Sequence, residues 1–235
     1  MAALKLLTLR NDDGCARCST RIAAGSTAWW DPSSGSLICA VCEPVQQRHP
    51  VRPPTASWAR GAEAKRRLAR SLDVELSDHA TILHDRTVPG ARGCIDHIVA
   101  SAAGIWLIDA WSFTGRVRRR GLGGWSPSGD RLFAGTRDCT KLVDAMCWQV
   151  AAVRAQLDRI EREDVPVHPV VCFTSSTWGW FPKPFRVGDI LVTWSAALIS
   201  EISHDDGVRL LDDSTIDQLA AHLGSSLPAS SATTR

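Results

Sequence analysis

Hydrophobic residues recur every three or four positions in several parts of this chain, and between them lie short, almost continuous hydrophobic runs. The spacing of three and four predicts amphipathic helices. We expect four of them, at Trp58 to Leu72, about Thr140 to Glu163, Ala196 to Ile202 and Ser214 to Leu223. Ser214 is the expected N-cap of the last helix.

The hydrophobic runs predict buried strands. These are Thr81 to Val88, the two arms of a hairpin around a turn at Ser101 to Gly104, a short strand at Arg131 to Ala134, and strands at His168 to Phe173 and Asp189 to Trp194. The segment from Arg116 to Gly135 is otherwise rich in Gly, Arg and Ser and is expected to be a loop. This order of helices and strands predicts an α/β domain with a mixed sheet.

Changes in composition divide the chain into four parts. Residues 1–43 contain two pairs of cysteines, residues 44–56 hold four prolines and predict a linker, residues 57–223 form the α/β domain, and residues 224–235 are a tail of Ser, Thr and Ala that we expect to be disordered.

The cysteine pairs have the spacing of a metal site. Cys15 and Cys18 form one CxxC pair, and Cys39 and Cys42 form another. Four thiolates from two tight turns complete a closed, tetrahedral Zn²⁺ site, so the spacing predicts a small zinc ribbon whose folding depends on the metal. The alternatives are two disulfides or a redox pair. A ribbon by itself is compatible with binding nucleic acid, binding protein or stabilising a terminus.

Composition and charge narrow the class of protein. The chain has 235 residues, of which 44% are hydrophobic and 22% charged, as in ordinary globular proteins. No hydrophobic run is long enough to span a membrane, and no secretory signal is recognisable, so the expected compartment is the cytoplasm.

The charged residues are distributed unevenly along the chain. The net charge is only +2, but Arg and Lys cluster at residues 48–70 and 116–120 while aspartates collect at residues 205–217. This polarity suits a polyanion, although solvated helix and loop faces would look the same.

Two aspartates interrupt the hairpin strands. If Ala100 faces Ile105 across the turn, the same register places Asp96 directly opposite Asp109, with their Cβ atoms about 5 Å apart. Facing carboxylates repel each other unless a cation neutralises them, and Mg²⁺ prefers carboxylate oxygens. The alternative is that both aspartates lie at solvated strand ends and have no role.

Several segments resemble a known family. "GARGCIDHIVASAAGIWLIDAWSFTG" is similar to the core of the nuclease-related domain (NERD) family, which belongs with the PD-(D/E)xK nuclease-like proteins. "GAEAKRRLARSL", "ILHDRTVPG", "TRDCTKLVDAMCWQVAAVRAQL", "VPVHPVVCF" and "FRVGDILVTW" resemble its further elements in the expected order. The similarity extends over about residues 58–203. It implies a restriction-endonuclease-like mixed β-sheet core flanked by helices, preceded here by the zinc ribbon.

The resemblance also implies an activity, namely phosphodiester hydrolysis that depends on Mg²⁺ or Mn²⁺. By position, Glu63, Asp96 and Asp109 are the implied metal ligands. The family motif has a lysine two residues after the second acid, where this chain has Trp111. An indole there would fill the pocket or stack on a base. Lys141 and Arg116 are the candidates for a substitute cation.

Further residues are candidates for binding. Gln149 borders the hydrophobic stripe of the long helix, and it either lies near the metal or is a hydrogen-bonded border residue. The basic run would hold the phosphate backbone of a nucleic acid, DNA more readily than RNA, through Arg116, Arg118, Arg119 and Arg120.

Two functions therefore remain open. The first is a metal-dependent nuclease, which the facing acids favour. The second is a catalytically inactive DNA-binding or assembly module of the same fold, which Trp111 favours.

Overall fold

The computed structural model describes residues 5–16, 19–39, 42, 56–90, 93–121, 130–203 and 209–230. Contacts divide the chain into one compact unit of Met1–Arg52 with Thr87–Gly93 and another of Pro53–Arg86 with Cys94–Arg235. The predicted linker at residues 44–56 lies outside the described residues except for its last residue, which begins a helix.

The smaller unit consists of short antiparallel strands. They are β1 (Lys5–Thr8), β2 (Asp13–Gly14), β3 (Arg21–Ile22), β4 (Thr27–Asp31) and β5 (Ser36–Ile38). One sheet has the order β1-β4-β5, and β2 and β3 form a separate hairpin. The small core of this unit contains Ile22, Ala28 and Ile38 together with three buried cysteines. A core this small buries too little apolar surface to stabilise the unit alone, so the cysteines are candidates for supplying the additional stability.

Within the described residues, the larger unit has four helices and nine strands. The helices are α1 (Ala56–Leu76), α2 (Thr140–Asp158), α3 (Ser195–Ser203) and α4 (Asp213–Ser226). The strands are β6 (Ala80–Thr87), β7 (Cys94–Ser101), β8 (Gly104–Trp111), β9 (Val117–Arg120), β10 (Arg131–Ala134), β11 (Arg137–Asp138), β12 (Val167–Phe173), β13 (Phe185–Val187) and β14 (Ile190–Thr193).

Six of these strands form a mixed sheet with the order β13-β14-β12-β8-β7-β6. β7 and β8 pair antiparallel, whereas β12 pairs parallel with both β8 and β14. Leu68, Leu72 and Leu76 of α1 are buried against this sheet and against α3. The predicted α/β class with a mixed, helix-flanked sheet is confirmed.

Several element boundaries differ from the prediction. α2 ends at Asp158 and not near Glu163, because Glu161 adopts a left-handed φ of 56°. The N-cap of α4 is Asp212, whose carboxylate accepts a 2.7 Å hydrogen bond from the Thr215 amide, so Ser214 lies inside the helix. α4 also continues to Ser226, past the expected start of the tail, while residues 231–235 lie outside the described residues.

The basic segment after β8 is also more ordered than predicted. β9 pairs antiparallel with the predicted strand β10, and β10 pairs with β11, so residues 117–120 form a strand and not a loop, while residues 122–129 lie outside the described residues. The guanidinium groups of Arg118, Arg120 and Arg131 all lie within 6.0 Å of the Phe133 ring centroid. Cation–π contacts of this kind stabilise cross-strand pairing that the composition alone does not suggest.

Candidate metal centre and its surroundings

The hairpin register that the sequence predicts is present. His97 pairs with Ile108 and Ala100 with Ile105, and β7 and β8 are joined by a two-residue turn. Gly104 at the end of that turn has a φ of 125°, and a Cβ atom there would lie 2.5 Å from the Pro166 carbonyl oxygen. The close approach requires glycine and helps to fix the register. One step further along the ladder, the same register places Asp96 opposite Asp109.

The two aspartates are buried and face each other. The relative solvent exposure of Asp96 is 1%, and that of Asp109 is 6%. Burial and the nearby charge of Asp96 both raise the pKa of Asp109, so the two carboxyl groups lie close enough to interact. The solvated strand ends that the sequence left open as an alternative are therefore excluded.

Both carboxyl groups have further partners. Lys65 of α1 donates a 2.6 Å hydrogen bond to Oδ1 of Asp96, and the Ala110 amide donates a 2.9 Å bond to Oδ2. The indole nitrogen of Trp111 donates a 2.7 Å bond to Oδ2 of Asp109. One ammonium group thus faces two acids, and the site is left with an excess of negative charge when both acids are ionised.

Burial is the main reason that the pKa of Asp109 rises to about 7. The neighbouring carboxylate of Asp96 raises this pKa further, while the bond from Trp111 and the ammonium of Lys65 lower it. Burial also disfavours the ammonium form of Lys65, but the two carboxylates outweigh it and the pKa of Lys65 lies above its ordinary value. Lys65 is therefore a permanent positive charge beside the acid pair.

Glu63 makes other contacts. Its carboxylate forms ion pairs with Arg66 at 3.0 Å and Arg70 at 3.3 Å, and the bonded Arg66 lowers the pKa of Glu63. Residues two positions apart on a helix point in different directions, and the carboxylate of Glu63 is directed to arginines of its own helix. The structure joins Lys65, and not Glu63, to the acid pair.

Sequence reasoning missed Lys65, although one signal pointed to it. Lys65 precedes Leu68 by three residues and Leu72 by seven, which places it on the hydrophobic stripe of α1. A lysine on the buried face of a helix needs a partner within the fold. Here the partner is Asp96.

The other candidate cations lie elsewhere. Lys141 is exposed in the first turn of α2, and among the described residues no ion pair joins it to either aspartate. Arg116 follows β8, where its backbone forms a bridge with Thr177 and its guanidinium lies against Gly179.

Gln149 is fully buried on α2, the helix that packs on β12 and β8. Its Oε1 atom has no hydrogen-bond partner among the described residues. A buried carbonyl oxygen without a partner is costly and calls for a cation or a water. A role for Gln149 beside a metal ion stays a prediction.

Trp111 is half-buried and stacks on Phe113, with ring centroids 5.3 Å apart. The ammonium of Lys65 lies 6.0 Å from the indole centroid. The guanidinium of Arg137 lies 4.5 Å from the centroid of the Phe113 ring. The indole thus lies between Asp109, to which it donates a hydrogen bond, and the ammonium of Lys65.

Three of the four predicted zinc cysteines are brought together. The sulfur atoms of Cys15, Cys39 and Cys42 lie within 4.8 Å of one another, and all three residues are buried. Cys18 lies outside the described residues. The Cys39 amide also donates a 3.3 Å hydrogen bond to the sulfur of Cys15. Three convergent sulfurs are sufficient to hold a metal ion together with one further ligand.

No helix in the part of the chain that the structure describes has both the length and the hydrophobicity to cross a membrane.

The fold and the acid pair together define a mixed α/β protein with two buried, facing carboxyl groups at the centre of its sheet. The family model of the nuclease-related domain (NERD) matches residues 60–174. The match indicates a protein that acts on nucleic acid. A comparison with curated proteins and one with solved structures each found no match.

Proposed function

We propose that this protein is a metal-dependent nuclease that hydrolyses phosphodiester bonds, with DNA as the favoured substrate and the cytoplasm as its compartment. The observation that carries the proposal is the burial of two facing carboxyl groups beside the ammonium of Lys65, which is bonded to Asp96. A surface that only bound phosphates would gain nothing from burying two acids beside them.

The donor set fits a hard divalent cation. Asp96 and Asp109 offer carboxylate oxygens, and a cation between them would offset the repulsion that raises the pKa of Asp109. Gln149 has a buried oxygen that lacks a partner. When bound, Mg²⁺ or Mn²⁺ supplies a Lewis acid that polarises the phosphate and lowers the pKa of a water molecule.

Residues of the chain itself would stabilise charge, orient the acids and bind the substrate. Lys65 replaces the motif lysine in our proposal: it approaches Asp96 from α1 and stabilises negative charge on the phosphoryl oxygens. Trp111 orients Asp109 through its indole nitrogen. The arginines of β9 and the preceding turn hold the phosphate backbone, and each phosphate contact adds to the salt dependence of binding.

The inactive module remains a second candidate, and one observation favours it. The ammonium of Lys65 already neutralises part of the acid pair at 2.6 Å, as a metal ion would. If the ammonium has taken the place of the metal, the site stabilises the fold and binds no cation.

A cleavage assay tests the proposal. The purified protein is incubated with supercoiled DNA, linear DNA and RNA in Mg²⁺, in Mn²⁺ and in EDTA, and products are resolved on gels. We expect cleavage of DNA in Mg²⁺ or Mn²⁺ and none in EDTA. Retarded but intact DNA under every condition would support the module, and cleavage that persists in EDTA would contradict a metal-dependent site.

For the N-terminal unit we propose a structural Zn²⁺ site formed by Cys15, Cys18, Cys39 and Cys42. Purified protein is expected to contain about one zinc per chain. Cys39→Ser is expected to lose the zinc and to unfold this unit, because metal binding supplies much of its folding energy. Elemental analysis and protease sensitivity report the two effects.

Cys94→Ser is the matched control, since Cys94 is exposed and lies outside the cysteine cluster. It is expected to keep the zinc. Wild-type protein without zinc, or a Cys39→Ser protein that retains it, would overturn the zinc assignment.

A further inference from the structure

The loop between β12 and β13 exposes two large aromatic side chains. Trp180 is 97% exposed and Phe181 is 91% exposed, more than any other large hydrophobic residue that the structure describes. They are neighbours in sequence, and Pro182 follows them. Single exposed hydrophobic residues are common, but two adjacent aromatic rings in solvent indicate a binding surface.

The loop that carries these rings is held firmly at its base. Trp178 packs against Trp194 and Phe185, with ring centroids 4.8 Å and 6.0 Å apart. The Val117 amide donates a 3.0 Å hydrogen bond to the Thr177 carbonyl oxygen, so the loop is tied to β9. A surface that is ordered before binding loses less entropy when a ligand arrives.

Beside the aromatic pair lies a groove of about 290 Å³. Its charged lining residues are all basic: Arg116, Arg118, Arg119 and Lys183. Among the described residues, the one carboxylate that forms an ion pair with them is that of Asp130, 3.4 Å from the Nε atom of Arg119. The groove therefore keeps a net positive charge.

Two of these arginines are fixed in place. Arg118 donates a 2.9 Å hydrogen bond to the carbonyl oxygen of Gly135, and Arg119 donates a 3.1 Å bond to that of Arg186. Each uses only part of its five donors, which leaves donors for phosphate oxygens. The Nε atom of Arg118 is buried and has no partner among the described residues.

The groove and the acid pair lie at the same end of the sheet. Thr174, directly after β12, donates a 2.9 Å hydrogen bond to the Trp111 carbonyl oxygen, and Thr177 donates a 3.0 Å bond to that of Gly115. β8 and β12 are parallel, so the loop leaves the sheet where Asp109 and Trp111 end β8.

We propose that this groove binds an unpaired nucleic-acid strand, with bases stacked on Trp180 and Phe181 and phosphates held by the four cations. Exposed aromatic rings stack on any base that is not already stacked in a duplex. The combination therefore selects single strands without selecting a sequence. The inference deepens the proposed function and rests on it, since it supplies the substrate-binding surface of the same site.

Binding is measured in EDTA, so that no strand is cut. Fluorescence anisotropy follows a labelled single-stranded DNA oligonucleotide, the same sequence as RNA, and the DNA duplex. We expect both single strands to bind more tightly than the duplex. Trp180→Ala and Phe181→Ala are each expected to raise the Kd for the single strand about 10-fold, and Trp180→Phe is expected to restore most of the affinity.

Controls separate stacking from charge and from damage to the fold. The aromatic variants should keep the thermal stability of the parent, because both side chains are solvated. Lys183→Gln is expected to weaken the salt dependence of binding, so that the negative slope of log K against log salt becomes shallower by about 0.7. Trp180→Ala should leave that slope unchanged. Val74→Ala is the matched control, because Val74 is an exposed hydrophobic residue on α1.

The outcomes are distinct from those of the cleavage assay. Single-strand binding that depends on Trp180, in a protein that never cuts, would keep this inference and remove the nuclease. Cleavage by the parent, together with unchanged single-strand affinity in Trp180→Ala, would keep the nuclease and remove this inference.

Exposed aromatic residues beside cations also suit an anionic membrane surface. Binding to phosphatidylglycerol vesicles that needs Trp180, without such a need in oligonucleotide binding, would overturn the inference.

Discussion

Asp109→Asn is expected to abolish metal-dependent cleavage and, at the same time, to make the metal-free protein more stable. The amide cannot replace a carboxylate as a charged metal ligand, and a bound metal ion contributes several kcal/mol to the reaction. We therefore expect the cleavage rate to fall by about 10³-fold. The stability rises because the substitution removes one of two like charges that are buried against each other.

The gain in stability should depend on pH. The pKa of Asp109 in the folded protein is about 7 and lies above the ordinary aspartate value of 3.8. The folded state therefore binds this proton more tightly, and the stability that the group contributes is lost as the pH rises through about 7. In EDTA, the free energy of unfolding of Asp109→Asn should increase relative to that of the parent between pH 4 and pH 7. Above pH 7 the difference should stay constant. At pH 8 we expect a difference on the order of 1–3 kcal/mol in the free energy of unfolding.

Asp144→Asn is the matched control, because Asp144 is exposed on α2. It should change neither the cleavage rate nor the dependence of stability on pH. An Asp109→Asn protein that cuts at the parental rate would show that the cleavage comes from another site. A variant less stable than the parent at pH 8 would contradict the repulsion between the two acids.

Lys65→Met is expected to have the second largest effect. The variant keeps the length of the side chain but leaves two buried acids without their cation. If Lys65 stabilises charge on the phosphate, the cleavage rate falls by about 10²-fold to 10³-fold. The protein also loses stability, but only about 1–2 kcal/mol, because Lys65 remains 36% exposed and solvent screens the pair.

The same variant separates the two proposed functions. In the nuclease, Lys65→Met still binds Mn²⁺ but cuts slowly. In the inactive module, where the ammonium has replaced the metal, its removal should create a cation site, so that calorimetry detects Mn²⁺ uptake only in the variant. Arg67→Met is the matched control on the exposed side of α1. A loss of rate in Lys141→Met with none in Lys65→Met would support Lys141 as the substitute cation instead.

The hairpin could be predicted from sequence because its geometry is local. Two hydrophobic arms and a short turn allow one register that buries both arms, and that register places Asp96 opposite Asp109. The family could also be recognised from sequence, because the resemblance depends on short motifs in a fixed order. The family model matches residues 60–174, which lie within the segment that carries those motifs.

The contact between Lys65 and Asp96 could not be predicted in this way, because the two residues are 31 positions apart and on different elements. The resemblance to the family pointed to Glu63 by its position on the first helix. Only the rotation of α1 on the sheet decides which side chain of that helix reaches the acids. The loop that carries Trp180 was not predicted either, because its conformation depends on packing against Trp194 and on bonds to the segment after β8.

The sequence by itself determined the α/β class, the facing acids on a central hairpin and the clustered cysteines, because these follow from hydrophobic periodicity and from spacing over a few residues. The tertiary structure alone decided which cation neutralises the acids and which surface lies beside them. Those outcomes depend on how helices and loops pack on the sheet, and packing is a sum of many weak contacts between residues distant in sequence.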